Sequence, residues 1–230
     1  HNRWLARFDK PAIILVNKCD HDHAAFDKAF ESIRESYGGN AVMAQYPVNT
    51  GPAFDSIVDI IQMKLYKYPN DGGTPEVTDI PAEEVDRAEE LHNELIEKAA
   101  ENDEALMELF FENDTLTEDE MRSGITAGVI ARGMFPVFCA SAKRNMGVGR
   151  FLEFLTNVAP SPNEVRPAVT EDGTEVKCDP AGPTSLFVFK TTVESHIGEI
   201  NFFKVLSGEV KEGVDPVSYT HLTLPTKRIV

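Results

Sequence analysis

Two short apolar runs, each breaking off into a polar loop, constrain this chain more than any other feature. The first, Ala12-Ile13-Ile14-Leu15-Val16, runs directly into Asn17-Lys18-Cys19-Asp20. The second, Pro136-Val137-Phe138-Cys139, leads about 120 residues later into Ser141-Ala142-Lys143. Continuous rather than alternating hydrophobicity marks strands buried on both faces, the pattern of a parallel sheet covered by helices. In open sheets of that kind ligands sit beyond the strand carboxyl ends. The predicted fold class is therefore α/β, with the two polar loops at the ligand edge of a parallel sheet.

An N-K-x-D string followed by S-A-K, each after its own strand, resembles the guanine-recognition motifs of GTPases. Guanine presents its N1–H and exocyclic amine side by side, both donors. A carboxylate such as Asp20 can accept both in a bidentate, charge-assisted pair. A site built for those bonds leaves its own polar group unpaired when the wrong base enters, so discrimination can reach roughly 10⁴-fold. Asn17 offers an amide to tie the loop to the base and to neighbouring backbone. The Lys18 stem can lie over the flat base with its charge near the ribose. The short Ser141-Ala142 pair lets a backbone N–H approach the guanine carbonyl oxygen, and Lys143 completes the motif. The bland alternative for Asn17–Asp20 is an ordinary strand-to-helix turn capped by Asp20. It loses ground once a second motif follows a second strand.

The chain of 230 residues has room for one large domain or two modest ones with ample core. Its 42% hydrophobic and 26% charged residues are ordinary for a globular protein. No apolar run is long enough to span a bilayer, and no stretch reads as a signal peptide. Cys19, Cys139 and Cys178 have no metal-like spacing and argue for a reducing compartment. A cytoplasmic protein is expected. The net charge of −16 argues against a surface that coats itself onto nucleic acid. Both ends read as cut: the chain starts at His1 in the closing turns of a helix (Trp4, Leu5, Phe8). Residues 216–230 read as the conceptual translation of a sequencing adapter and are set apart from fold reasoning.

Helical spacing runs from Ala24 to Tyr37 and stops at Gly38-Gly39. A strand is expected over Ala41–Tyr46, and a strand pair over Ile57–Leu65. Pro69–Gly73 is a turn. Pro81 opens a helix with Val85, Ala88, Leu91, Leu95, Ile96 and Ala99 on its buried stripe. A break near Asn102-Asp103 precedes a second helix. Thr117-Glu118-Asp119-Glu120 forms a capping box for a third. The acidic run here reads as the solvated face of amphipathic helices rather than a binding tail. A helix follows Gly147 and ends by Pro160. Residues 163–183 read as a linker, and 184–215 as the start of an antiparallel β-barrel domain.

The arrangement resembles translational GTPases, and elongation factor G most closely. Small GTPases and elongation factor Tu place only a few dozen residues between these motifs. Elongation factor G carries an extra α/β subdomain there. On this resemblance, 1–40 and 130–162 are the C-terminal part of a GTPase domain, and 41–129 are the inserted subdomain. Pro136–Ala142, Asn145-Met146-Gly147-Val148, Leu155–Pro162 and Phe202–Gly208 carry the similarity in the family's order. It implies a monomeric ribosome-dependent GTPase that moves tRNA and mRNA, with Asn17, Lys18, Asp20, Ser141, Ala142 and Lys143 around the guanine of GTP or GDP. Cys19 stands where the family usually has methionine, and His21-Asp22-His23 replaces an arginine-containing continuation. A two-histidine metal site there is weaker than capping or surface roles.

No G-x-x-x-x-G-K-[ST] loop occurs in the chain. The groups that hold the phosphates and Mg²⁺ are therefore expected in the full-length parent, and this segment alone is expected to be inactive, without catalytic residues or metal ligands. Alternatives are a ribosomal-protection or release-factor-three-like GTPase, a non-hydrolysing GTP-gated ribosome binder, and an acidic helical interaction protein with coincidental motifs. Cys19 and Cys139 would lie on neighbouring strands, where oxidation could disturb guanine binding; two buried small hydrophobes is the plainer reading.

Overall fold

Two strands that arrive far apart in sequence pair with each other. In the computed structural model, which describes residues 2–8, 10–70, 72–165, 167–170, 172–196 and 198–212, β1 (Ile14–Val16) pairs in parallel with a strand at Phe135–Cys139. That second strand also pairs in parallel with β2 (Ala41–Met43). The central strand is completely buried, as its uninterrupted apolar sequence requires. The adapter-like tail 216–230 and residues 213–215 of the expected barrel segment lie outside the described residues.

The expected strand Ala41–Tyr46 is two strands in different sheets. Ala44 is the crossing point: its N–H donates to Val137 O at 2.9 Å, while its carbonyl accepts from Ile60 N at 3.0 Å. Beyond it, β3 (Gln45–Pro47), β4 (Ser56–Asp59), β5 (Lys64–Lys67) and β6 (Glu76–Thr78) form an antiparallel four-stranded sheet in sequence order. Thus β2, grouped by sequence with the inserted segment, belongs to the parallel sheet. Both halves of Ala41–Tyr46 are buried and β-prone, so only the tertiary pairing reveals the break.

The helices follow the apolar periodicity. After α1 (Asn2–Arg7), α2 (Phe26–Tyr37) buries Phe26 and Phe30 one turn apart and is capped by Gly38 at φ 69°, whose N–H donates to Arg34 O. Helix α3 (Ala82–Ala100) begins after Pro81 and buries Ala88, Leu95, Ile96, Ala99 and Ala100. Asp103 caps α4 (Glu104–Asn113) by accepting from Ala105 N and Leu106 N. Thr117 and Glu120 make the full reciprocal capping box at the start of α5 (Glu118–Ala131). Helices α3 and α5 approach closely at Gly124, where a Cβ would stand 2.6 Å from Ala99 O. The central strand of the parallel sheet is β7, and α6 (Val148–Val158) follows it. Phe138 packs between Phe151 and Phe154 of α6, with centroids at 5.4 and 4.5 Å.

The chain divides into two compact units between Ala159 and Pro160. In the second, the stretch expected as a linker carries a small hairpin, β8 (Ala168–Val169) with β9 (Glu175–Val176). Asp179 O accepts from Gly182 N, Gly208 N and Ser207 Oγ, fixing the end of that stretch on the following ribbon. The ribbon is β10 (Ser185–Glu194) paired antiparallel with β11 (Gly198–Ser207). Among the described residues no helix is long and apolar enough to cross a membrane.

Candidate functional site

Register places the two motif loops together. Val16 is the partner of Cys139, so β1 and β7 end level with each other and release Asn17 and Ala140 side by side. The pairing continues past the strands: Ala140 N donates to Val16 O at 3.0 Å, and Cys19 N donates to Ala140 O at 3.1 Å.

Asn17 joins the two loops with one atom. Its Oδ1 accepts from Lys18 N at 2.8 Å and from Ala142 N, across 125 residues of sequence, at 2.9 Å. Lys18 adopts φ 67°, a left-handed conformation uncommon for a side chain with a Cβ. The turn then continues through His21 N to Lys18 O and Ala24 N to His21 O. Asn17, Lys18, Ala142 and Lys143 are exposed, Asp20 is half-buried, and Ser141 is fully buried.

Asp20 and Ser141 meet. The Ser141 hydroxyl is the main reason the Asp20 carboxyl lies below its ordinary value. Partial desolvation opposes the shift; the residue's own amide and the charges of Arg144 and Lys143 reinforce it. The second loop is itself a closed turn, with Ser141 N donating to Met146 O and Met146 N to Ser141 O, both at 3.0 Å. Arg144 N donates to Ser141 Oγ at 3.3 Å. Gly147, at φ 78°, begins α6, and a Cβ there would lie 2.6 Å from Cys139 O.

Thus all six motif residues, Asn17, Lys18, Asp20, Ser141, Ala142 and Lys143, gather at one edge beyond the carboxyl ends of β1 and β7, with Ser141 buried there and the other five open to solvent in whole or in part. One detail differs from the sequence-based expectation. The Ala142 N–H is already donated to Asn17 Oδ1, so a ligand oxygen arriving here would share that donor or take the next amide. The edge offers an ionised carboxylate, an amide nitrogen on Asn17 and two flanking cations, a set that suits a flat ligand with paired donors and a nearby anion.

Cys19 and Cys139 are buried beneath this edge, and the Cys19 thiol donates to Val16 O at 3.4 Å. Burial pushes the Cys139 thiol well up, whereas the contact with Cys139 brings the Cys19 thiol down. Cys178 is exposed. His21 and His23 face each other with ring centroids 5.9 Å apart, and among the described residues no group of three or more His, Cys, Asp or Glu is placed to hold a metal ion.

Sequence reasoning missed Arg144. Its Nη1 donates to Pro52 O at 3.3 Å and Phe54 O at 3.0 Å, and its Nη2 to Asn70 O at 3.1 Å. An arginine in a polar loop carries no local sign of such partners; the glycine at 72, where the turn presses on Arg144, is the only hint.

No family model matches the chain. A crystal structure of a protein from Thermus thermophilus is similar, with a TM-score of 0.73 and 25% sequence identity over 91% of this chain. The chain spans 29% of the length of that protein. The shared architecture is mixed α/β, a parallel sheet with antiparallel sheets, consistent with part of a GTPase-type domain followed by β-structure.

Proposed function

We propose that the paired loops recognise the guanine base of GTP or GDP, and that the chain is the base-recognition part of a ribosome-associated translational GTPase resembling elongation factor G. The observation that carries this is the single Asn17 Oδ1 accepting from both Lys18 N and Ala142 N. It brings Asp20 and Ser141–Lys143, read from separate strands, to one edge.

Asp20, held ionised by Ser141, accepts from N1–H and the exocyclic amine. The Lys18 stem covers one face of the base. Asn17 fixes both loops and has its amide nitrogen for the base. Hydrolysis belongs to phosphate- and Mg²⁺-binding groups that this chain's sequence does not contain. In the parent protein, GTP binding and hydrolysis would be coupled to movement of tRNA and mRNA on the ribosome, a role that rests on the sequence resemblance and the shared fold.

The test is a titration of the isotope-labelled 230-residue chain with GDP, XDP and ADP at millimolar concentration. Amide shifts at Asn17, Asp20 and Ala142 should respond to GDP and not to ADP. In Asp20→Asn the preference should pass to XDP, because an amide presents one donor and one acceptor. Equal responses to GDP and ADP, or an unchanged preference in Asp20→Asn, would refute base recognition at this edge.

A further inference from the structure

We infer that Arg144 is a positioning residue that clasps the base-facing Ser141–Lys143 loop onto two turns of the inserted segment. The inference rests on the guanine reading for its ligand, but not for its geometry.

A surface arginine usually points its guanidinium at water or a carboxylate. Arg144 instead donates to three backbone carbonyls, those of Pro52, Phe54 and Asn70. These belong to the loop between β3 and β4 and to the turn after β5. A planar fork with five donors can serve acceptors in fixed, separate directions, which an ammonium cannot reproduce. The backbone of Arg144 is held as well. Gly72, at φ 77°, passes so close that a Cβ would lie 2.1 Å from Arg144 O.

The loop between β3 and β4 also reaches the other half of the edge. Gly51 N donates to Cys19 O at 2.8 Å, and Thr50 Oγ1 donates to Ala24 O at 3.1 Å. Its own shape is fixed by Val48 N to Ser56 O and Phe54 N to Gly51 O. One ordered loop is therefore bonded to both motif segments, to the first through backbone and to the second through Arg144. Releasing the Arg144 end leaves the Ser141–Lys143 loop held by its own Ser141–Met146 pair and by Ala142 N on Asn17 Oδ1, while the Asn17–Asp20 side keeps its tie to Gly51.

The experiment compares amide hydrogen exchange and GDP titration in the 230-residue chain and in Arg144→Ala and Arg144→Lys. In Arg144→Ala, exchange at Ser141, Ala142 and Met146 should quicken roughly tenfold, while Phe138 and Ile125 keep their rates. GDP binding should weaken about threefold or more in the same variant. Arg144→Lys should behave like Arg144→Ala at these amides. Gly124→Ala, which loosens helix packing away from the site, should leave GDP binding unchanged. Unchanged exchange at Ser141–Met146 overturns the clasp, as does an increase spread evenly through residues 10–159. Local quickening with unaltered GDP binding overturns the positioning role. If the parent chain shows no GDP response, the guanine reading fails, and local exchange alone decides whether Arg144 fastens the loop.

Discussion

Replacing Arg150 with methionine should cost this protein more stability than any exposed charge change. Asp59 has a side chain with 0% exposure, and Arg150 one with 13%. Asp59 Oδ2 accepts from Arg150 Nε at 3.2 Å, from Arg150 Nη2 at 3.0 Å and from Gln45 Nε2 at 2.9 Å. Its Oδ1 accepts from Gln62 N at 3.0 Å. Arg150→Met removes the only cation on that carboxylate among the described residues and strands a buried charge, a loss of about 3–5 kcal/mol. Asp59→Leu should cost less, about 2–3 kcal/mol, since the guanidinium keeps Glu153 at 2.5 Å and the Tyr66 ring at 5.2 Å. The double variant should fall well short of the sum, with a coupling of about 2 kcal/mol or more, because the second change removes the group the first left unpaired. Among the described residues every helix lies before Ala159, so circular dichroism at helical wavelengths follows this unit alone through urea unfolding. For a unit of this size, the Arg150→Met loss corresponds to a fall in Tm of roughly 10 °C. A cost below about 1 kcal/mol for Arg150→Met, or strictly additive single changes, would refute a desolvated, mutually dependent pair.

Three further outcomes are expected. The Asp20 carboxyl is depressed when folded, so its contribution to stability is present above the unfolded value and is lost as pH falls through the lower folded value. Carbon-detected titration should show Asp20 losing its charge at lower pH than an ordinary aspartate, and Ser141→Ala should move it back upward; no movement would sever the two groups. Gly124→Ala adds a Cβ 2.6 Å from Ala99 O, so strain should outweigh the gain in helix propensity and give a net loss of about 1–2 kcal/mol in urea unfolding. Thr117→Ala removes half of the capping box on α5 and should cost about 1 kcal/mol, with a value near zero showing that the cap is not needed.

What could be read from sequence had a local physical signature. The buried β1 and β7 announce themselves by unbroken apolar runs cut off by polar loops. Thr117 and Glu120 declare a helix start at fixed spacing, and Phe26 and Phe30 declare a buried helix face. The two motif loops are legible as neighbours because each follows its own buried strand. The remainder depends on partners distant in sequence. Ala44 looks like the middle of a strand, and only Val137 and Ile60 make it a crossing. Asp59 and Arg150 carry no local mark of a buried pair, because they lie 91 residues apart. Arg144 carries no local sign of its three acceptors, which are backbone carbonyls that every residue has.

The strand order β1-β7-β2 has a consequence for the order of assembly. Both flanking strands leave a synthesising ribosome long before the strand that must fill the slot between them. Among the described residues β1 and β2 pair only with β7 within this sheet, so until residue 139 emerges that pairing cannot form, and the chain between them and β7 must close as a long loop, a slow, non-local step. The edge carrying Asp20 and Ser141 is therefore born late, after the helices α3–α5 have had time to form. In refolding experiments, protection of Ala140 and Cys19 should appear with the slowest phase, behind Leu95 and Ile125; simultaneous protection would show that the slot closes in the same step as the helices.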